Sequence, residues 1–175
     1  MKINYKKNFI SIGISIATIS DTRNIKTDKS GKILEKKILE HGHKLIEKKI
    51  ITDDTREIRQ YFNDSIKNSA INVIITTGGS GLTDRDSTID ILDKFIEKEV
   101  PGFGEIFRMI SFKKIGTSTI QSRAKAGIAK GKFLFCLPGS PSACADAWDN
   151  ILKFQLDSRF EPCNLIDLMP RISDK

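Results

Sequence analysis

The chain has 175 residues, 39% hydrophobic and 29% charged, which suits one domain spanning residues 1–175 and excludes a disordered polypeptide. No window approaches the roughly 20 apolar residues of a membrane span, and residues 1–8 lack a signal peptide's cleavage site, so a cytoplasmic protein without membrane contact is expected. The net charge of +7 lies entirely in residues 1–50, where 12 basic side chains stand against 5 acidic ones; these lysines punctuate apolar positions, so no nucleic-acid surface is expected.

Residues 9–19 alternate Ile10, Ile12, Ile14 and Ile16 with smaller residues, the pattern of a buried first strand. A polar loop leads to Ser30, which is read as the N-cap of a helix with Ile33, Leu34 and Ile38 on one face and Gly42 at its stop. A second strand is expected at residues 45–51. Asp54 and Glu57 open a helix burying Ile58, Phe62 and Ile66, and residues 71–77 form the third strand. Ser87 and Asp90 have capping-box spacing for a helix through Phe95. Residues 102–112 form another helix with Phe103, Ile106, Phe107 and Ile110 inward. Lys130-Gly131 joins two short strands as a hairpin, and Pro138-Gly139-Ser140-Pro141 opens the last long helix, with an irregular tail after Pro162. The β-α-β-α-β start calls for an α/β three-layer sandwich: a mostly parallel central sheet, helices on both faces and a short antiparallel hairpin.

Two loops share one physical design. Gly78-Gly79-Ser80-Gly81 and Pro138-Gly139-Ser140 each leave the end of a strand and turn into a helix, where an open parallel sheet binds ligands. Free N–H groups and close backbone approach suit phosphate, yet the spacing fits neither a dinucleotide fingerprint nor a P-loop, and a structural turn stays open as an alternative. With Ser87 and Asp54 read as caps, Asp86 and Asp53 have no structural task and could hold Mg²⁺, unless both are alternative caps or turn formers. Cys136 and Cys144 are expected as core thiols. Cys163 has no C-x-x-C partner, so neither a disulfide framework nor a zinc knuckle is signalled.

Three motifs then resemble one family: Thr76-Thr77-Gly78-Gly79-Ser80-Gly81-Leu82-Thr83-Asp84-Arg85-Asp86-Ser87-Thr88, then Pro101-Gly102-Phe103-Gly104-Glu105, then Leu137-Pro138-Gly139-Ser140-Pro141. Together with residues 115–124 and 155–159 they are similar to the molybdopterin-binding family of molybdenum cofactor biosynthesis, over a core of about residues 9–164. The resemblance implies binding of molybdopterin, a pyranopterin dithiolate with a terminal phosphate, and adenylylation of that phosphate with ATP and Mg²⁺. It implies catalytic and metal-holding roles for Asp53 and Asp86. Substrate contacts would come from Asp21, Gly78, Gly79, Ser80, Gly81, Glu105, Pro138, Gly139 and Ser140. It also implies a homo-oligomer, trimer or hexamer, working with other proteins of the pathway. Some members of the family bind without catalysing, so a non-catalytic molybdopterin carrier or scaffold is the alternative. The family loop usually has Thr where this chain has Ser80, and Pro where it has Thr52 and Ile89.

Overall fold

A computed structural model describes residues 2–173. In chain order the elements are β1 (Lys2–Ile3), β2 (Gly13–Ile19), α1 (Lys29–Glu40), β3 (Lys44–Ile51), α2 (Thr55–Lys67), β4 (Val73–Thr77), α3 (Thr88–Leu92), β5 (Lys98–Glu99) and α4 (Pro101–Ile115). A 3₁₀ segment (Gly116–Gln121) follows, then β6 (Lys125–Ala129), β7 (Lys132–Leu137) and α5 (Pro141–Ala147). After α5 the chain runs through a π-helical stretch (Trp148–Leu152), α6 (Lys153–Gln155), β8 (Phe160–Glu161), a 3₁₀ turn (Ile166–Leu168) and α7 (Met169–Ser173).

Six strands form one sheet in the order β3-β2-β4-β7-β6-β5. β3, β2, β4 and β7 are parallel; β6 runs antiparallel to β7, and β5 to β6. β1 and β8 make a separate antiparallel pair that ties the two ends of the chain together. Alternation along the central strands sends residues to opposite faces, as a pleat requires. Val73, Ile75, Phe133 and Phe135 pack with Leu34 and Ile38 of α1, Phe107 of α4 and Trp148, whereas Ile74 and Leu134 pack with Ile58 and Phe62 of α2 and Leu92 of α3. This is the expected three-layer sandwich. Leu34, Ile38 and Ile58 are fully buried, and each contributes about 1.5–3 kcal/mol of transfer free energy.

Several local expectations are corrected. The N-cap of α1 is Asp28, whose carboxylate accepts from the Gly31 N–H; Ser30 lies inside the helix and is buried. Ile10 precedes the strand and is exposed. α3 stops at Leu92, and Ser87 caps it by position without a side-chain hydrogen bond. Ile106 is 49% exposed, because α4 is apolar on its outer face as well as its inner one. The tail is ordered: Ile166 is buried, and Leu165, Leu168, Met169 and Ile172 pack against the core. The hairpin is as read, with Lys130 and Gly131 both at positive φ. Among the N-terminal lysines, Lys37 pairs with Asp149 and Lys48 with Glu35, each at 2.7 Å.

Candidate functional site

The four parallel strands end on one edge of the sheet, and each is followed by a loop that the sequence singled out. After β2 comes Asp21, after β3 Asp53, after β4 the glycines 78–81 and after β7 Pro138-Gly139-Ser140. Gly78 has φ +101° and donates its N–H to the Leu137 carbonyl at 3.1 Å, which locks the two ligand-type loops together. A β-carbon on Gly139 would lie 3.3 Å from Gly78 Cα, so the backbones touch.

Asp21, Asp53 and Asp86 converge against the glycine loop. Asp21 Oδ1 accepts the Asp53 N–H at 3.0 Å, and Asp21 Oδ2 is ion-paired with Arg85. Asp53 Oδ1 is buried and receives no hydrogen bond from any described residue. Burial raises the Asp53 carboxyl above its ordinary range, and the neighbouring Asp86 and Asp21 charges add to the effect, while Arg85 opposes it. Asp86 behaves oppositely. Its Oδ2 accepts from Thr83 Oγ1 at 2.6 Å and Thr83 N at 3.0 Å, and the hydroxyl bond holds its carboxyl below the usual range. Asp86 therefore has a turn-forming task that capping logic did not assign to it. Two adjacent carboxyls pushed in opposite directions ionise in sequence, Asp86 first.

Beside this cluster lies a cleft of about 400 Å³. Gly78 to Gly81 and Asp86 form one wall, Pro138 to Ser140 a second, and Ser111, Ser118, Thr119, Gln121 and Ser122 a third. The third wall is uncharged, and Thr119 Oγ1 is buried in it without a hydrogen-bond partner among the described residues. Ser80 is buried, and Ser140 is exposed at the N-cap of α5, accepting from the Ala143 N–H at 3.2 Å. Asp21 and Asp53 stand behind the glycine loop and do not line the cleft. Glu105 sits on α4 and, with Arg108, lines depressions next to the cleft, one of which shares Thr119 with it.

Other reactive side chains are held out of this chemistry. Burial pushes the Cys136 thiol up to about 12 and that of Cys144 to about 11, so both stay protonated core thiols. Cys163 is exposed and free. His43 is buried among Phe9, His41 and Trp148, and burial lowers its pKa to about 4.

Residues 9–158 match the family described as a probable molybdopterin binding domain. The chain is 44% identical over 156 residues to molybdenum cofactor biosynthesis protein B of Escherichia coli strain K12, covering 89% of this chain and 92% of that one. The chain belongs to the molybdopterin-binding family of molybdenum cofactor biosynthesis. A second member, named a probable molybdopterin adenylyltransferase, from Methanocaldococcus jannaschii, is 37% identical over 150 residues, 81% of this chain and 88% of its own. The crystal structure of a molybdenum cofactor biosynthesis protein B superposes with a TM-score of 0.86 at 34% identity, covering 97% of this chain and all of that one.

Within this family member, two groups of residues carry more of the site than their sequence signal suggested. Apart from Ser111 of α4, the third wall comes from a motif that carried the resemblance at residues 115–124 but was given no role. Its signal was the set of uncharged polar residues, broken only by Ile120, between Gly116 and Arg123. Arg123 donates to the Gly81 carbonyl at 3.1 Å and pairs with Asp90 at 2.5 Å, fixing the far side of the glycine loop. Arg23 does the same for the second loop, reaching the Gly139 carbonyl at 2.8 Å across 116 positions in sequence.

Proposed function

We propose that this protein binds molybdopterin in the strand-end cleft and transfers AMP to its terminal phosphate from Mg-ATP. The observation that carries the reading is the convergence of Asp21, Asp53 and Asp86 on a glycine loop that also walls the cleft. Membership of the family and the name of the Methanocaldococcus relative support it.

In the reaction, an oxygen of the molybdopterin phosphate attacks the α-phosphorus of ATP, the P–O bond to the β-phosphate breaks, and pyrophosphate leaves. The nucleophile is already ionised, so neither aspartate acts as a base. The glycine loop and the Pro138–Ser140 loop bring backbone close to the phosphates, and Ser140 Oγ stands at the mouth of the cleft as a further partner. The uncharged third wall leaves room for the pterin. Asp86, bordering the cleft, and Asp53, behind the loop, would hold the magnesium. The donor set fits that ion: hard carboxylate oxygens, one of them buried and unpartnered. Magnesium takes oxygen ligands and keeps several from phosphate and water, so two carboxylates would be enough to hold it beside the ligand. When bound, the ion offsets the negative charge gathered at the transferring phosphorus.

Homo-oligomer formation fits the same reading, since α4 exposes Ile106, Met109, Phe112 and Ile115 along its outer face. The deciding assay is turnover of ATP to pyrophosphate with molybdopterin and Mg²⁺ present. Stoichiometric retention of molybdopterin without pyrophosphate release would instead establish the carrier role.

A further inference from the structure

The loop between β7 and α5 is held from beneath by side-chain donors to two of its carbonyls. Thr77 Oγ1 donates to the Pro138 carbonyl at 2.9 Å, and Cys144 Sγ approaches the same oxygen at 3.6 Å. The Gly139 carbonyl accepts from Arg23 Nη2 at 2.8 Å and from Ser30 Oγ at 2.7 Å. Ser30 Oγ in turn accepts from Arg23 Nη1 at 2.9 Å, which commits its single proton to Gly139. The Gly139 carbonyl therefore has both lone pairs engaged from the protein side, and the Pro138 carbonyl is held by the Thr77 hydroxyl, itself in contact with Cys144 Sγ at 3.1 Å.

A trans peptide places N–H opposite C=O in the same plane. With the Pro138 and Gly139 carbonyls turned toward Thr77, Arg23 and Ser30, the N–H groups of Gly139 and Ser140 are turned away from those side chains, in a loop that borders the cleft. Neither N–H donates a hydrogen bond among the described residues.

We propose that Arg23 is a positioning residue for phosphate recognition: with Ser30 and Thr77 it fixes the 138–140 loop so that the Gly139 and Ser140 N–H groups meet the ligand's phosphate. The inference rests on the reading that a phosphate occupies this cleft. Arg23 acts through the loop and does not touch the ligand. Its planar fork serves two acceptors, Ser30 Oγ and the Gly139 carbonyl, in a geometry that a lysine ammonium on a flexible stem does not reproduce. Preset N–H donors need no reorientation when the phosphate arrives, which is the advantage of a rigid cradle over a flexible charge.

The test is titration calorimetry with an air-stable oxidised pterin carrying a terminal phosphomonoester, alongside the same compound dephosphorylated. The wild-type protein should prefer the phosphorylated form. Arg23→Gln and Arg23→Lys should both reduce that preference by roughly tenfold or more, since hydrogen bonds to a charged group are misaligned. Thr77→Val should do likewise and Thr77→Ser should retain the preference, while affinity for the dephosphorylated compound stays constant throughout. Full retention in Arg23→Lys would overturn the proposal, because charge rather than loop position would then matter. Equal weakening of both compounds would also overturn it, as that is the signature of general destabilisation. A wild-type protein with no phosphate preference overturns the proposal together with the cleft assignment, whereas an intact preference without pyrophosphate release overturns only adenylyl transfer.

Discussion

The carboxylate of Asp53 occupies the space where a side chain on Gly79 would begin: a β-carbon there would lie 2.9 Å from Asp53 Oδ1 and 2.2 Å from Thr88 Oγ1. Gly81 stands in the same relation to Asp86, with Oδ2 at 2.5 Å. The glycines of this loop thus make room for the aspartates as well as for any phosphate. Gly79 also has φ +58°, a left-handed backbone that a side chain strains. Gly79→Ala should cost at least about 1 kcal/mol and displace Asp53, so that turnover falls further than stability does. Gly102→Ala is the control. Nothing lies within 4 Å of its β-position, and it should leave turnover nearly unchanged with a melting temperature equal to the parent's or slightly higher, since alanine suits a helix better than glycine.

Asparagine at the two site aspartates should abolish adenylyl transfer in both cases and move stability in opposite directions. The folded pKa of Asp53 is raised by burial and by its acidic neighbours, so its ionised form destabilises the fold at neutral pH, and this penalty fades as pH falls through the folded pKa. Asp53→Asn should be as stable as the parent or more so. The folded pKa of Asp86 is lowered by the Thr83 hydroxyl, so its contribution is present above the unfolded pKa and lost as pH falls through the folded one. Asp86→Asn should lose less than about 1 kcal/mol, because this turn is open to solvent. Denaturant melts of both variants at neutral pH and at about pH 3, below the unfolded carboxyl pKa, check the signs.

The strands and most helices were legible because their residues answer to one neighbour each: the alternation of Val73, Ile74 and Ile75 already sorts them to two faces. Where two demands compete, local pattern misleads. Ser30 has the chemistry of an N-cap, yet Asp28 two residues earlier wins that place, because its carboxylate also takes the Thr18 hydroxyl at 3.1 Å. Ser30 is thereby released to bind Gly139, a contact 109 positions away that no window of sequence contains. Asp86 was singled out on the argument that it lacked a structural role, and it has one in Thr83. Its place beside the cleft stands on geometry instead. Glu105 lines a depression that adjoins the cleft through Thr119.

Acid sensitivity should arise far from the cleft, at His43. The ring is 4% exposed, its Nδ1 faces the Ile12 N–H, and the groups that face it are His41 and Asp157. Its folded pKa of about 4 lies below the unfolded value near 6.5, so between those values the unfolded chain binds more protons. The stability held by neutral His43 is complete above pH 6.5 and is lost as pH falls toward 4, by up to about 3 kcal/mol. His43→Asn should be less stable at pH 7 and should flatten that slope, as read from unfolding free energies across the interval.

The outer face of α4 supplies a test of assembly that is independent of catalysis. Met109 and Phe112 are 66% and 59% exposed one turn apart, beside Ile106 and Ile115. If copies of the chain meet there, Phe112→Glu desolvates a charge without a partner and should shift the protein toward monomer in light scattering at micromolar concentration. The fold should survive, because Phe112 makes no part of the buried core. An unchanged mass would place any assembly surface elsewhere.

Ser140 separates a cap from a ligand most sharply, because its two roles respond differently to aspartate. As the N-cap of α5 it accepts the Ala143 N–H at 3.2 Å, so Ser140→Ala should cost about 1 kcal/mol. Aspartate caps as well as serine, so Ser140→Asp should fold with nearly parental stability. The same carboxylate would stand beside the Pro138–Gly139 wall of the cleft, where it would repel a phosphate at short range. Molybdopterin affinity should therefore fall steeply in Ser140→Asp and only modestly in Ser140→Ala, with melting temperatures in the reverse order. Unchanged affinity in a well-folded Ser140→Asp protein would leave Ser140 as a cap alone and move the phosphate to the glycine loop.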